Sequence, residues 1–122
     1  MNNELARRAV ACKHWRWLPG MLTQHGRICG AGYLVSDDVD ETGRPFVDCT
    51  DTTSEWPDLL PDLSDDLTRL GLLVLVREAW GDPLMYVAPG PGWYVGCGRV
   101  VGVAATGRTE AAALVAALEA AP

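Results

Sequence analysis

The chain reads as an α+β domain: an antiparallel sheet of about four to five strands packed with three helices, in the order α-ββ-α-βββ-α. Three observations predict it. A middle stretch and a closing stretch carry helix caps and helical spacing. Short β-forming runs between the helices are punctuated by Gly and Pro turns. The 122 residues, 48% hydrophobic and 21% charged, suit one domain, 1–122, with its own core.

The first helix is read over "NNELARRAVACKHW", with Asn3 as N-cap and Glu4 at the positive end of the dipole. Leu5, Ala9, Cys12 and Trp15 recur every three or four residues and so share a face. "LPG" at Leu18–Gly20 stops it, because proline disfavours helix in the residue before it. "CKHWRW" is therefore expected to be a helix terminus. Cys12 and one tryptophan should face the core, with Lys13, His14 and Arg16 in solvent.

A hairpin follows, with "GRICGAGYLV" as one strand, "RPFVDC" as the other and the acidic "SDDVDETG" as the loop between them. "DTTSEWPDLLPDLS" is a linker pinned by Trp56 and two prolines. The second helix is read over "SDDLTRLGLLVLVREAWGDP". Ser64 is its N-cap candidate, Asp65 and Asp66 occupy the first turn, Gly81 lies just past the end and Pro83 beyond it. Apolar residues cover most of its circumference, which predicts the central helix, with Leu70, Leu73, Val74 and Ala79 buried. "LMYVA", "GWYVGC" and "RVVGVAA" form a meander turning at "PGPG" and "GCG". "TEAAALVAALEA" closes the fold as a helix capped by Thr109, with Leu114, Val115 and Leu118 inside.

The net charge of −6 is unevenly spread. Residues 1–27 hold five cations against Glu4, a net +4; residues 37–66 hold eleven acids against Arg44, a net −10; residues 67–122 balance at four of each sign. The acidic segment repels nucleic acid and attracts basic surfaces. The longest apolar run, "LGLLVLV", is too short for a membrane span, and "MNNELARRAV" lacks the apolar region of a signal peptide. The expected setting is the cytosol, with reduced thiols.

"LARRAVACKHWRWLPGM", "LPDLSDDLTRLGLLVLVREAWGDP", "GWYV" and "TEAAALVAALEAA" resemble small uncharacterised phage and prophage proteins of the phage ABA-sandwich domain group. Residues 27–55 or so depart from that pattern. The group brings no catalytic residues to carry over. What the resemblance implies is a setting: a protein made by a phage or prophage inside a bacterial host. Small acidic proteins of this kind are often accessory factors, including inhibitors of host defence systems such as anti-CRISPR proteins.

No catalytic constellation or cofactor motif emerges from the residues. Cys12, His14, His25, Cys29 and Cys49 are potential zinc ligands, but their C-x-H and H-x3-C spacings are irregular for a tetrahedral site. Cys97 in "GCG" has no histidine in its half of the chain to act as a base. "GAG" and "GPGWYVGCG" lack the helix and lysine of a phosphate loop. "KHWRW" mixes cations with aromatics, yet the cations are few. The expectation is a non-enzymatic, protein-binding accessory protein. Asp37, Asp38, Asp40, Glu41, Asp58 and Asp62, with Trp17 and Trp56 as anchors, would meet a basic surface of a host protein. The alternative is a structural or zinc-stabilised module of the phage particle or genome machinery.

Overall fold

The computed structural model describes residues 3–24, 26–28, 34–39, 45–48 and 59–122. Helix α1 spans Asn3–Ala11, α2 Asp66–Trp80 and α3 Glu110–Ala120. Strands β1 (Leu22–Thr23), β2 (Gly26–Ile28), β3 (Leu34–Val39) and β4 (Pro45–Asp48) precede α2. Strands β5 (Tyr86–Pro89), β6 (Trp93–Gly96) and β7 (Val103–Gly107) follow it. The class is α+β, as the sequence predicts, but the strands divide into two antiparallel sheets, β1-β2-β3-β4 and β5-β6-β7, in place of one. Each sheet pairs only sequence neighbours, the arrangement that short connections favour.

The first sheet departs from the expected hairpin. "GRICGAGYLV" is split between β2 and β3, which pair antiparallel through Arg27↔Val35 and Ile28↔Leu34. Strand β3 then pairs with β4 through Leu34↔Asp48, Val35↔Val47 and Val39↔Pro45. The "SDDVDETG" loop is corrected in part, because Ser36–Val39 belong to β3. The register shifts between Val35 and Val39, so Asp37 and Asp38 fall in the irregular part of a strand anchored at both ends by β-formers. The linker is held at its described end. Leu59 is buried, Leu60 N–H donates to Gln24 Oε1 at 2.8 Å, Asp62 N–H donates to Leu22 O at 2.8 Å, and Pro61 bridges to Thr23.

Helix α1 ends earlier than its apolar spacing suggests. Cys12 N–H bonds Ala9 O and Trp15 N–H bonds Cys12 O, three-residue steps that tighten and unwind the last turn. Asn3 is the first helical residue, not the cap before it. Past the helix, Cys12 Sγ donates to Leu118 O at 3.6 Å, and both Trp15 and Trp17 pack against the core. His14 is half-buried, contrary to the solvated position expected. It is drawn in with Trp15, whose ring packs edge-on against Trp17 at 5.2 Å.

Asp65, not Ser64, caps α2; its carboxylate accepts Thr68 N–H at 3.0 Å, while Ser64 turns back to Asp62. Gly81 ends the helix at φ 63°, where a left-handed backbone favours glycine. The buried stripe of α2 is Thr68, Leu72, Leu75 and Val76, with Leu73 and Ala79 half-buried beside it. Leu67, Leu70 and Val74 form an opposite, exposed stripe, correcting the expected burial of Leu70 and Val74. The central helix is α3. It packs on all three strands of the second sheet and on both other helices. Ala111, Ala113, Leu114, Val115, Ala117 and Leu118 are buried. Small alanines on several faces let neighbours approach from every side, which α2's bulkier surface does not allow. Thr109 caps α3 as predicted, accepting Ala112 N–H at 3.1 Å.

Candidate functional site

The buried polar or charged residues among those described are Thr23, Thr68 and Asp82, and two of them organise polar knots. In the first knot, Arg27 forms a two-pronged pair with Asp65 at 2.9 and 3.1 Å and also donates to Gly20 O. Asp65 accepts the Thr68 hydroxyl, and that hydroxyl oxygen accepts Leu22 N–H at 2.8 Å. The Arg27 hydrogen bonds hold the Asp65 carboxyl down at about 2, outweighing the opposing effect of burial, with Thr68 assisting. The knot ties the first hairpin to α2.

The second knot faces a surface. Asp82 accepts Leu84 N–H at 3.1 Å, Gly98 N–H at 2.9 Å and Arg99 N–H at 3.0 Å. Burial pushes its carboxyl up, but the three N–H donors and the Arg99 charge prevail and leave it below the usual carboxylate range. The amides of Gly98 and Arg99 are thereby taken from any strand ladder. "RVVGVAA" is accordingly a strand only from Val103; Arg99–Gly102 form a bent loop, closed by Cys97 N–H to Gly102 O at 3.0 Å.

That loop carries Val100 and Val101, which are 72% and 104% exposed. Around it lie Leu84, Tyr86 and Val103, all exposed. Their proximity follows from packing and register. Gly98 lies so close to Leu84 that an added methyl group would fall 2.2 Å from its Cβ. Tyr86 and Val103 are both cross-strand partners of Gly96, so the three share the outer face of the second sheet. The Tyr86 ring lies over Gly96, where a methyl group would meet it at 2.3 Å. Tyr94 continues this face, edge-on to Tyr86 at 6.0 Å. The Tyr94 phenol, first through its charge and then by hydrogen bonding, pushes the Tyr86 hydroxyl above its ordinary range. At the far end Gly90, Pro91, Gly92, Trp93, Tyr94 and Thr106 line a cavity of about 290 Å³. The outer face thus runs from an apolar tip, across two tyrosines, to a pocket, so what it presents to solvent is chiefly apolar and aromatic area.

A second cavity of about 300 Å³ lies between Leu5, Leu63, Ser64, Arg69, Thr109, Glu110 and Ala111. Its cation is already compensated, since Arg69 pairs with Asp66 and approaches Glu110 at 3.6 Å.

Of the acidic residues singled out in the sequence, Asp37 and Asp38 lie on β3, and Asp62 is half-buried, accepting Ser64 N–H at 3.0 Å. Asp40, Glu41, Asp58 and Trp56 lie outside the described residues, as do His25, Cys29 and Cys49. Trp17 is half-buried against the core and Trp15. Nothing described brings Asp37, Asp38, Asp62 and Trp17 into one patch. Among the described residues, no three His, Cys, Asp or Glu side chains gather as metal ligands, and no helix is long and apolar enough to cross a membrane. The outer-face residues were missed because "RVVGVAA" reads as one continuous strand of the meander. The signal present was two adjacent valines between Arg99 and Gly102, which cannot both face one side of a strand. No family model matches the chain, and no curated protein or solved structure is detectably similar to it.

Proposed function

We propose that this protein works by binding another protein, as a phage or prophage accessory factor that occupies a surface of a host protein without transforming it. The observation that supports the reading best is the apolar tip: Leu84, Tyr86, Val100, Val101 and Val103, exposed together around a loop fixed by Asp82. Exposed apolar side chains gain free energy only when a partner covers them, and a loop tied to Asp82 at Gly98 N–H and Arg99 N–H loses little entropy on docking. The acidic segment, with Asp37, Asp38, Asp40, Glu41, Asp58 and Asp62, contributes steering toward a basic partner, raising association rate more than affinity. Inhibition of a host defence system is the accessory role this mode of action serves.

The test is capture from bacterial host lysate and protection of phage in that host. Val100→Ser with Val101→Ser removes the tip's two most exposed apolar side chains while leaving the buried core untouched. Neutralising Asp37, Asp38, Asp40 and Glu41 together removes charge alone. Loss of capture and protection in the first variant, with unchanged circular dichroism, is the expected result. The second variant should slow association and remove its salt dependence. Full capture and protection by both variants would sink the reading.

A further inference from the structure

We propose that the free edge of β7 takes up an extended peptide segment of a partner, apolar at alternate positions and bearing carboxylates at both ends. The inference rests on the protein-binding reading above and concerns the sheet edge that borders the outer face. Among the described residues, strand β7 is the last of its sheet and pairs on one side only, with β6. Sheet edges of monomers are usually blunted by proline, lysine or a bulge. The opposite edge, β5, ends in Pro89. Strand β7, "VAATG", has neither proline nor lysine. It has a bulge near its start, where one extra residue, Ala104, stands between the partners of Gly96 and Val95, and Ala105–Gly107 stay in regular register beyond it. That stretch offers backbone donors and acceptors to an added strand.

Two further observations specify the occupant. The cavity lined by Tyr94, Trp93 and Thr106 opens beside β7, since Thr106 is itself a β7 residue. Strand addition draws its affinity from the main chain and its selectivity from such a pocket, which takes alternate side chains. Aromatic and glycine walls suit an apolar one. The charges at the ends of the strand are Arg99, on the loop leading in, and Arg108, directly after Gly107; both are exposed. Arg8, Arg16, Arg27 and Arg69 each have a carboxylate partner. Arg99 and Arg108 form no ion pair among the described residues. Residues 67–122 are formally neutral, so these two cations are not submerged in the acidity of the preceding segment.

The same charges decide against a second copy. Antiparallel two-fold pairing centred on Ala105 would set Arg108 of one copy opposite Gly102 of the other, beside its Arg99. Two like-charged contacts would result, which disfavours that pairing. A carboxylate-ended strand turns both contacts favourable.

The probe is an acetylated, amidated peptide, Asp-Val-Thr-Val-Thr-Val-Asp, titrated to about 1 mM while amide shifts of the full chain are followed by NMR. Shifts should concentrate on Val103–Arg108 and Thr106's pocket neighbours. The Lys-ended analogue should bind at least tenfold more weakly, and the peptide N-methylated at its valines, unable to add as a strand, should not bind. Arg99→Glu with Arg108→Glu, both at exposed positions, should reverse the preference for end charge. No shifts on β7, equal binding of acidic and Lys-ended peptides, or undiminished binding of the N-methylated peptide overturns the proposal. So does self-association that the acidic peptide fails to displace, which would give the edge to a second copy. If the tip variants lose host-protein capture while the peptide fails, protein binding stands and the edge proposal falls. If the peptide binds while the tip variants still capture, the tip is the part in error.

Discussion

Asp65→Asn isolates one charge from one cap. Asparagine keeps an acceptor for Thr68 N–H, and it is as good an N-cap as aspartate. What it loses is the charge facing Arg27 across two hydrogen bonds of 2.9 and 3.1 Å. The Asp65 side chain is 17% exposed, and its carboxyl falls from 3.8 to about 2 on folding, chiefly through Arg27. At about 1.36 kcal/mol per pKa unit, this is at most about 2.4 kcal/mol. Arg27 is 37% exposed, and water screens that side of the pair, so a loss of about 1–2 kcal/mol at pH 7 is expected. A depressed carboxyl stabilises the fold above its unfolded pKa, and that contribution fades as pH falls through the folded value. The gap between wild type and variant should therefore hold down to about pH 4 and shrink toward about pH 2. Urea titrations followed by the fluorescence of the five tryptophans, run on both proteins across that range, measure it. A gap under about 0.5 kcal/mol at pH 7, or one that persists undiminished at about pH 2, would show that Arg27 and Asp65 do not form the pair described.

Two packing predictions follow. Leu72→Ala, at a fully buried site, should cost about 2–5 kcal/mol, whereas Leu70→Ala, 58% exposed, should cost under about 1 kcal/mol; denaturant midpoints that fail to separate them would mean that α2 presents a different face. Gly107→Ala would place a methyl group 2.4 Å from Ala113 N and 2.7 Å from Ala112 C, backbone atoms that cannot swing aside. A loss of about 1–3 kcal/mol by thermal melting is expected, and an unchanged melting temperature would refute the close approach of β7 to α3.

What could be read in the sequence is what local chemistry decides. Thr109 and Gly81 mark helix ends because a cap needs only the next few residues, and the turns at Gly90–Gly92 fix the β5–β6 hairpin in the same way. The choice between Ser64 and Asp65 as cap was settled from outside the helix, by Arg27 in a strand 38 residues away. The buried face of α2 was misjudged because counting apolar residues says how much could be buried, not which side a partner covers. The candidate site was hidden for a similar reason. Val100 and Val101 have strand-forming side chains, but the amides that a strand there would need are held by Asp82, 16 and 17 positions earlier.

Helix α3 also bears on how the fold is reached. It touches the second sheet, α2 and α1, and its ties to the N-terminal segment join residues 106 and 111 positions apart, Cys12 with Leu118 and Arg8 with Glu119. Contacts so distant along the chain carry a loop-closure cost before they return any burial, a pattern that slows folding. Until α3 docks, the faces of the second sheet, α2 and α1 that it packs against stay uncovered, the kind of apolar surface that chaperones and proteases recognise. Assembly is therefore expected to be cooperative and late, with one alanine-rich segment deciding whether the remaining elements become a protein or a substrate for degradation.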